Sequence, residues 1–116
     1  MVIGKFRDLT PSKVRRNIDE AKRAALSLWE LGFWVLCHHS NTDIMELWEW
    51  PDHEPINSLY LHLLDQVVDA LFCLESWVDS PGSQIEFEAA TKGHIPVFYR
   101  LEDILEWKKN LTKKGL

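Results

Sequence analysis

Three short runs constrain this chain more than any other feature. Phe33-Trp34-Val35-Leu36-Cys37, Ala70-Leu71-Phe72-Cys73-Leu74 and Ile95-Pro96-Val97-Phe98-Tyr99 are almost wholly apolar, and none alternates between polar and apolar residues. A strand with one face in water alternates, whereas a strand covered on both faces does not. Between the runs the apolar period changes to three and four. Val14, Ile18, Ala21, Ala25 and Leu28 follow the cap-and-proline pair Thr10-Pro11, and Gly32 stops them. Leu59, Leu63 and Val67 mark one face of a helix from Ile56 to Val68. Ser80-Pro81 opens another, with Ile85, Ala89 and the methylene stem of Lys92 toward the sheet and Gly93 at its end. Leu101, Ile104, Leu105, Lys108 and Leu111 outline a C-terminal helix. The segment from His38 to Pro55 lacks clean periodicity and reads as a long irregular loop.

Buried strands alternating with helices predict an α/β three-layer sandwich, one domain over residues 1–116. With Val2-Ile3-Gly4 as a short first strand, the sheet is expected to hold four to five parallel strands in the flavodoxin- or Rossmann-like order 2-1-3-4. That order puts the topological switch point between the first strand and the one at Ala70 to Leu74. Ligands bind there, beyond the C-terminal strand ends. The two loops that meet at this point are Gly4-Lys5-Phe6-Arg7 and the stretch from Glu75 to Gly82.

Composition narrows the partners. Thirteen basic against 18 acidic residues leave a net charge of −5, which excludes broad neutralisation of a polymeric nucleic acid. Runs of five apolar residues fall far short of the roughly 20 that span a bilayer. Lys5, Arg7 and Asp8 interrupt the N-terminus before any leader-length apolar stretch, so a cytoplasmic chain is expected. Cys37 and Cys73 lie inside apolar runs and are expected to be buried free thiols. Adjacent His38 and His39 would point to opposite sides of a strand end, and no third ligand stands at a metal-binding spacing, so no metal is expected.

The loops carry the candidate chemistry. Ser80 and Gly82 begin a helix, whose N–H groups and dipole attract an anion, and Gly82 allows close approach to the backbone. Lys5 and Arg7 can supply the cationic half of the pocket. Glu86 lies one turn past Gly82 on the pocket side, and the nearby helix start is expected to hold it ionised, as a nucleophile requires. Glu88 should face solvent. The indole of Trp77 either stacks on a base or packs in the core.

The stretch from Asp69 to Glu86, with Ser80-x-Gly82-x-x-x-Glu86 at its end, resembles the strand, loop and nucleophile helix of the nucleoside 2-deoxyribosyltransferase-like family, which includes deoxynucleoside 5′-monophosphate N-glycosidases. His39-Ser40-Asn41-Thr42 and Ile95-Pro96-Val97-Phe98 are similar to its small members, so the likeness covers nearly the whole chain. The resemblance implies Glu86 as the nucleophile on the anomeric carbon and Ser80 as the phosphate or 5′-end contact. It puts Gly4 and Phe6 in a loop over sugar and base, and Asn41 and Asp79 among the substrate contacts. It implies a nucleoside or nucleotide substrate, no cofactor, and a homodimer or higher homo-oligomer, with the helices at Ile56 to Val68 and Ser80 to Lys92 as contacts. The chain departs from the family at Leu61, where an aspartate commonly serves the leaving base, and at Gly4-Lys5, where Gly-Pro is usual. Asp65 and Asp79 are the carboxylates available to replace the missing one. A non-catalytic nucleotide or nucleotide-sugar binder on the same fold is the alternative, and an interaction module with a vestigial pocket is a third reading.

Overall fold

The computed structural model describes residues 1–42 and 54–113. β1 (Val2–Ile3) leads through an extended loop to α1 (Pro11–Glu30). Thr10 opens α1, its hydroxyl accepting the Lys13 N–H at 3.3 Å, and Pro11 fills the first helical position, where no N–H is needed. Past the helix the chain turns at Gly32, whose φ of 90° suits a residue without Cβ. Then come α2 (His38–Thr42), α3 (Glu54–Gln66), β2 (Leu71–Cys73), a 3-10 helix (Glu75–Asp79), α4 (Pro81–Lys92), β3 (Val97–Phe98) and α5 (Leu101–Lys113). The irregular loop expected from His38 to Pro55 is therefore helical at both ends, and residues 43–53 lie outside the described part.

The described sheet is parallel and has three strands in the order β1-β2-β3. Val2 stands opposite Phe72 and Ile3 opposite Cys73, while Leu71 and Phe72 face Val97 and Phe98. The run Phe33 to Cys37, expected as a strand, touches the sheet at a single parallel bridge between Cys37 and Val2, with the Val2 N–H bonded to the Leu36 carbonyl at 2.9 Å. A two-residue β1 has little ladder to offer on that side, and a sheet of four or five strands is reduced accordingly.

Neighbouring strand residues serve opposite faces of the sheet. Val2 and Phe72 pack with Ala21, Ala25 and Leu28 of α1 and Ile104 of α5. Ile3, Leu71 and Cys73 pack on the other face with Leu64 of α3 and Ala90 of α4. This two-sided burial is what the apolar run from Ala70 to Leu74 predicted, whereas the run from Phe33 to Cys37, expected as a buried strand, leaves Trp34 94% exposed. Both cysteines are buried and free.

Two helix faces differ from expectation. In α3 the buried residues are Tyr60 and Leu64, one position round from the predicted Leu59, Leu63 and Val67. That helix carries two apolar stripes, and pattern alone does not choose between them. In α4 the sheet side holds Ser83 and Ala90, with Ile85 55% exposed and Lys92 in solvent. The small residues win because α4 lies close to the strands.

Gly4 ends β1 under similar crowding. A Cβ there would stand 2.7 Å from Leu74 Cδ1 and 3.0 Å from Leu74 Cβ. Gly4→Ala is expected to cost roughly 1–3 kcal/mol through overpacking, read as a lower urea midpoint; an unchanged midpoint would contradict this packing.

Candidate active site

At the C-terminal ends of β1 and β2 the surface opens into a cleft of about 440 Å³. Its walls are the loop after β1, the start of α2, the start of α3 and the first turns of α4. The location is the one parallel topology favours.

Side chains from four elements hold the loop after β1. Ser83 Oγ of α4 donates to the Gly4 carbonyl at 2.9 Å, a buried bond. The Lys5 N–H donates to Ser76 Oγ at 3.0 Å, and His39 Nε2 donates to the Lys5 carbonyl at 3.0 Å. Asn17 Nδ2 of α1 bonds the Phe6 carbonyl at 3.3 Å and Asp8 Oδ2 at 3.3 Å. Lys5 Nζ also lies 3.5 Å from Asp8 Oδ2. Few torsions remain free in a loop tied this way, so it presents Lys5, Phe6 and Arg7 to the cleft already ordered.

His39 is 3% exposed, and burial lowers its pKa, against the opposing effect of the bond to Lys5. Because a carbonyl only accepts, Nε2 carries the proton and Nδ1 is left as a bare acceptor. Nδ1 is buried without a partner among the described residues. The neighbouring His38 stacks on Tyr60 at 4.3 Å between ring centroids, with Phe6 at 6.4 Å. Both histidines line the cleft, contrary to the expectation for a strand end, because α2 starts at His38 and successive residues turn by about 100° rather than 180°.

The first turn of α4 forms the opposite wall. Ser80 Oγ accepts the Ser83 N–H at 3.2 Å, and its carbonyl accepts from Gln84. Nothing lies within 4 Å of where a Gly82 Cβ would be, so open space meets bare backbone at a helix start. Glu86 stands one turn deeper. Its Oε2 is buried with no hydrogen-bond partner among the described residues, and burial pushes its pKa up to about 7, opposed in part by the chain's amino terminus. This corrects the expectation that the helix start keeps Glu86 ionised. Dipole stabilisation fades beyond the first turn, and desolvation outweighs it here.

Of the residues singled out from sequence, Gly4, Lys5, Phe6, Arg7, Asp79, Ser80, Gly82 and Glu86 meet in this one cleft. Trp77 does not line it; the indole stacks on Phe87 at 4.3 Å and 18° and joins the core on that face of the sheet. The side chain of Asn41 lies outside the described part. Asp65 is exposed on α3 and bonded by Gln66, leaving Asp79 as the second carboxyl of the cleft. His38, His39, Asn57 and Ser83 also line it and were not foreseen as site residues. Ser83 had a readable signal, being a small polar residue three positions before Glu86, on the same side of a helix that must approach a strand. Among the described residues no three His, Cys, Asp or Glu side chains group as a metal site would require. Compared with protein families, curated proteins and solved structures, the chain has no significant match.

The Glu86 carboxyl predicts a pH dependence of stability. Below about pH 4.5, its ordinary value, both folded and unfolded states hold the proton; up to about 7 only the folded state does, so stability falls as pH rises through this window and levels off above it. Glu86→Gln removes the cost of burying a charge. It is expected to be more stable than wild type at pH 8, by up to about 3 kcal/mol, with the difference nearly gone at pH 4.5. Urea unfolding across that range is the check, and a wild type as stable as Glu86→Gln at pH 8 would contradict it.

Proposed function

We propose that this protein is a nucleoside or nucleotide N-glycosidase or 2-deoxyribosyltransferase in which Glu86 forms a covalent glycosyl-enzyme. The observation that carries this reading is a buried Glu86 carboxyl, its Oε2 without a hydrogen-bond partner among the described residues, one helical turn below the open backbone of Gly82, in a cleft rimmed by Lys5 and Arg7. A poorly solvated carboxylate is a stronger nucleophile than a hydrated one, and a pKa near 7 leaves a useful fraction ionised. A 5′-phosphate fits the start of α4, where Gly82 admits it and the Ser80 hydroxyl, already an acceptor from Ser83, still has its proton to donate. Phe6 and His38, the latter backed by Tyr60, offer flat faces to a base.

In the reaction, a Glu86 oxygen bonds to the anomeric carbon as the C–N bond breaks and its electron pair leaves with the base. The base takes a proton from water, because Leu61 stands where the family has its second carboxylate. Water, or a second base in transfer, then displaces Glu86 from the ester. Without a positioned acid the rate is expected to be some 10²–10⁴-fold below that of relatives that have one. The reading includes a cytoplasmic enzyme, a homo-oligomer, and a sandwich whose edge at residues 33–37 extends the order to 2-1-3-4. The second reading, a nucleotide-binding protein without chemistry, is favoured by the same Leu61.

Release of free base from deoxynucleosides and their 5′-monophosphates, followed by chromatography, tests the reading. Base release is expected to rise with pH through an apparent pKa near 7 and to vanish in Glu86→Gln. No release from any substrate, with monophosphate binding intact, would select the binder. The monophosphate is expected to bind more tightly than its nucleoside by roughly 1–3 kcal/mol. Gly82→Ala should erase this preference without loss of stability, since its methyl group enters open space that the phosphate needs. Equal calorimetric affinities for the pair in wild type would remove the phosphate site from the account.

A further inference from the structure

A second cavity, about 690 Å³, opens at the other end of the sheet, between the end of α1, residues 33–36, the turn before β2 and the inner side of α5. Core side chains such as Leu28, Phe72 and Ile104 form its floor. Its rim groups three exposed large apolar residues: Trp34 is 94% exposed, Val67 60% and Trp29 52%. Single exposed apolar residues are ordinary, but a contiguous group around a hole marks a contact surface. Residues 33–36 also lie beside β1 at the margin of the described sheet, where an apolar edge invites another chain.

We infer that a second copy of this chain covers this face, in a two-fold dimer in which Trp34 of each protomer enters the cavity of the other. A two-fold interface uses one patch twice, so projection and hole must lie side by side on a single surface, as Trp34 and this cavity do. The area suffices. An indole covers up to about 250 Å², so nearly all of Trp34 with about half of Trp29 and Val67 gives on the order of 400 Å² from each copy. Two copies with the flanking backbone reach the roughly 1,000 Å² at which specific interfaces begin. The charges also suit self-pairing. Among the described lining residues the charged side chains are Lys108 and Asp69, and the Met1 amino group, which donates to the Ala70 carbonyl and whose pKa burial lowers to about 6, adds little positive charge at pH 7, so the patch meets its own copy without a large excess of either sign. Lys108 is held at the rim, donating to the Leu31 carbonyl at 3.0 Å with its ammonium 5.0 Å from the centre of the Phe33 ring.

Sedimentation velocity from about 1 µM to about 100 µM tests the dimer in wild type, Trp34→Glu, Val67→Glu and Leu59→Glu. Wild type is expected to dimerise in this range. Trp34→Glu should weaken association by at least about 30-fold, as truncation of a central aromatic anchor does, and Val67→Glu should weaken it as well. Leu59→Glu, about two helical turns from Val67 and outside the cavity lining, should leave it unchanged. All three positions are exposed, and unchanged circular dichroism will show that the fold is kept. A wild type that stays monomeric throughout would overturn the inference, leaving the cavity to a small apolar ligand. A Trp34→Glu variant that dimerises as tightly as wild type, or a loss confined to Leu59→Glu, would overturn it equally, by placing the dimer on another face.

Discussion

The buried hydrogen bond from Ser83 Oγ to the Gly4 carbonyl, 2.9 Å long, fixes the relation between α4 and the end of β1. It is a directional tie between the two walls of the cleft, which apolar packing is not. Gly4 cannot carry a side chain because Leu74 fills the space, and Ser83 can approach because it is small. The loop that follows is tied further by Ser76, His39 and Asn17, each from a different element. Order in the loop after β1 is therefore a property of the whole fold and not of its own sequence.

The site pays for that order in electrostatics. Packing α4 against the strands takes Glu86 out of water, and no donor among the described residues replaces the lost hydration of Oε2. Burial also leaves Nδ1 of His39, a residue that lines the cleft, without a partner among the described residues. Two unsatisfied polar atoms in one cavity are costly to stability, and such sites are where proteins keep groups for use.

The central strand was legible in the sequence because the unbroken apolar run around Leu71–Cys73 is buried on both faces, whereas the run from Phe33 to Cys37 reads the same and makes a single bridge, with Trp34 94% exposed. Parallel order then located the cleft before any motif was considered, and eight of the residues named from sequence meet there. What failed depended on distances that pattern does not encode. Whether α4 turns Ile85 or Ser83 to the sheet is decided by how closely the helix approaches, and Trp77 stacks on Phe87 of α4, a tertiary contact that its place in the loop does not announce. The ionisation of Glu86 was misjudged for the same reason. A helix start is visible in Ser80-Pro81-Gly82, whereas the depth of the carboxyl six residues on is set by tertiary packing. His38 and His39 came into the site because a helix begins where a strand end was expected.

The account rests on Glu86 being a buried carboxyl whose proton is held near neutrality. Titration of that side chain by carbon-13 NMR, with the resonance assigned through Glu86→Gln, tests this directly. A midpoint near 7 is the expected result. A midpoint at 4.5, the ordinary value for glutamate, would mean that water reaches the carboxylate freely, and that the cleft is a solvated groove without a poised nucleophile.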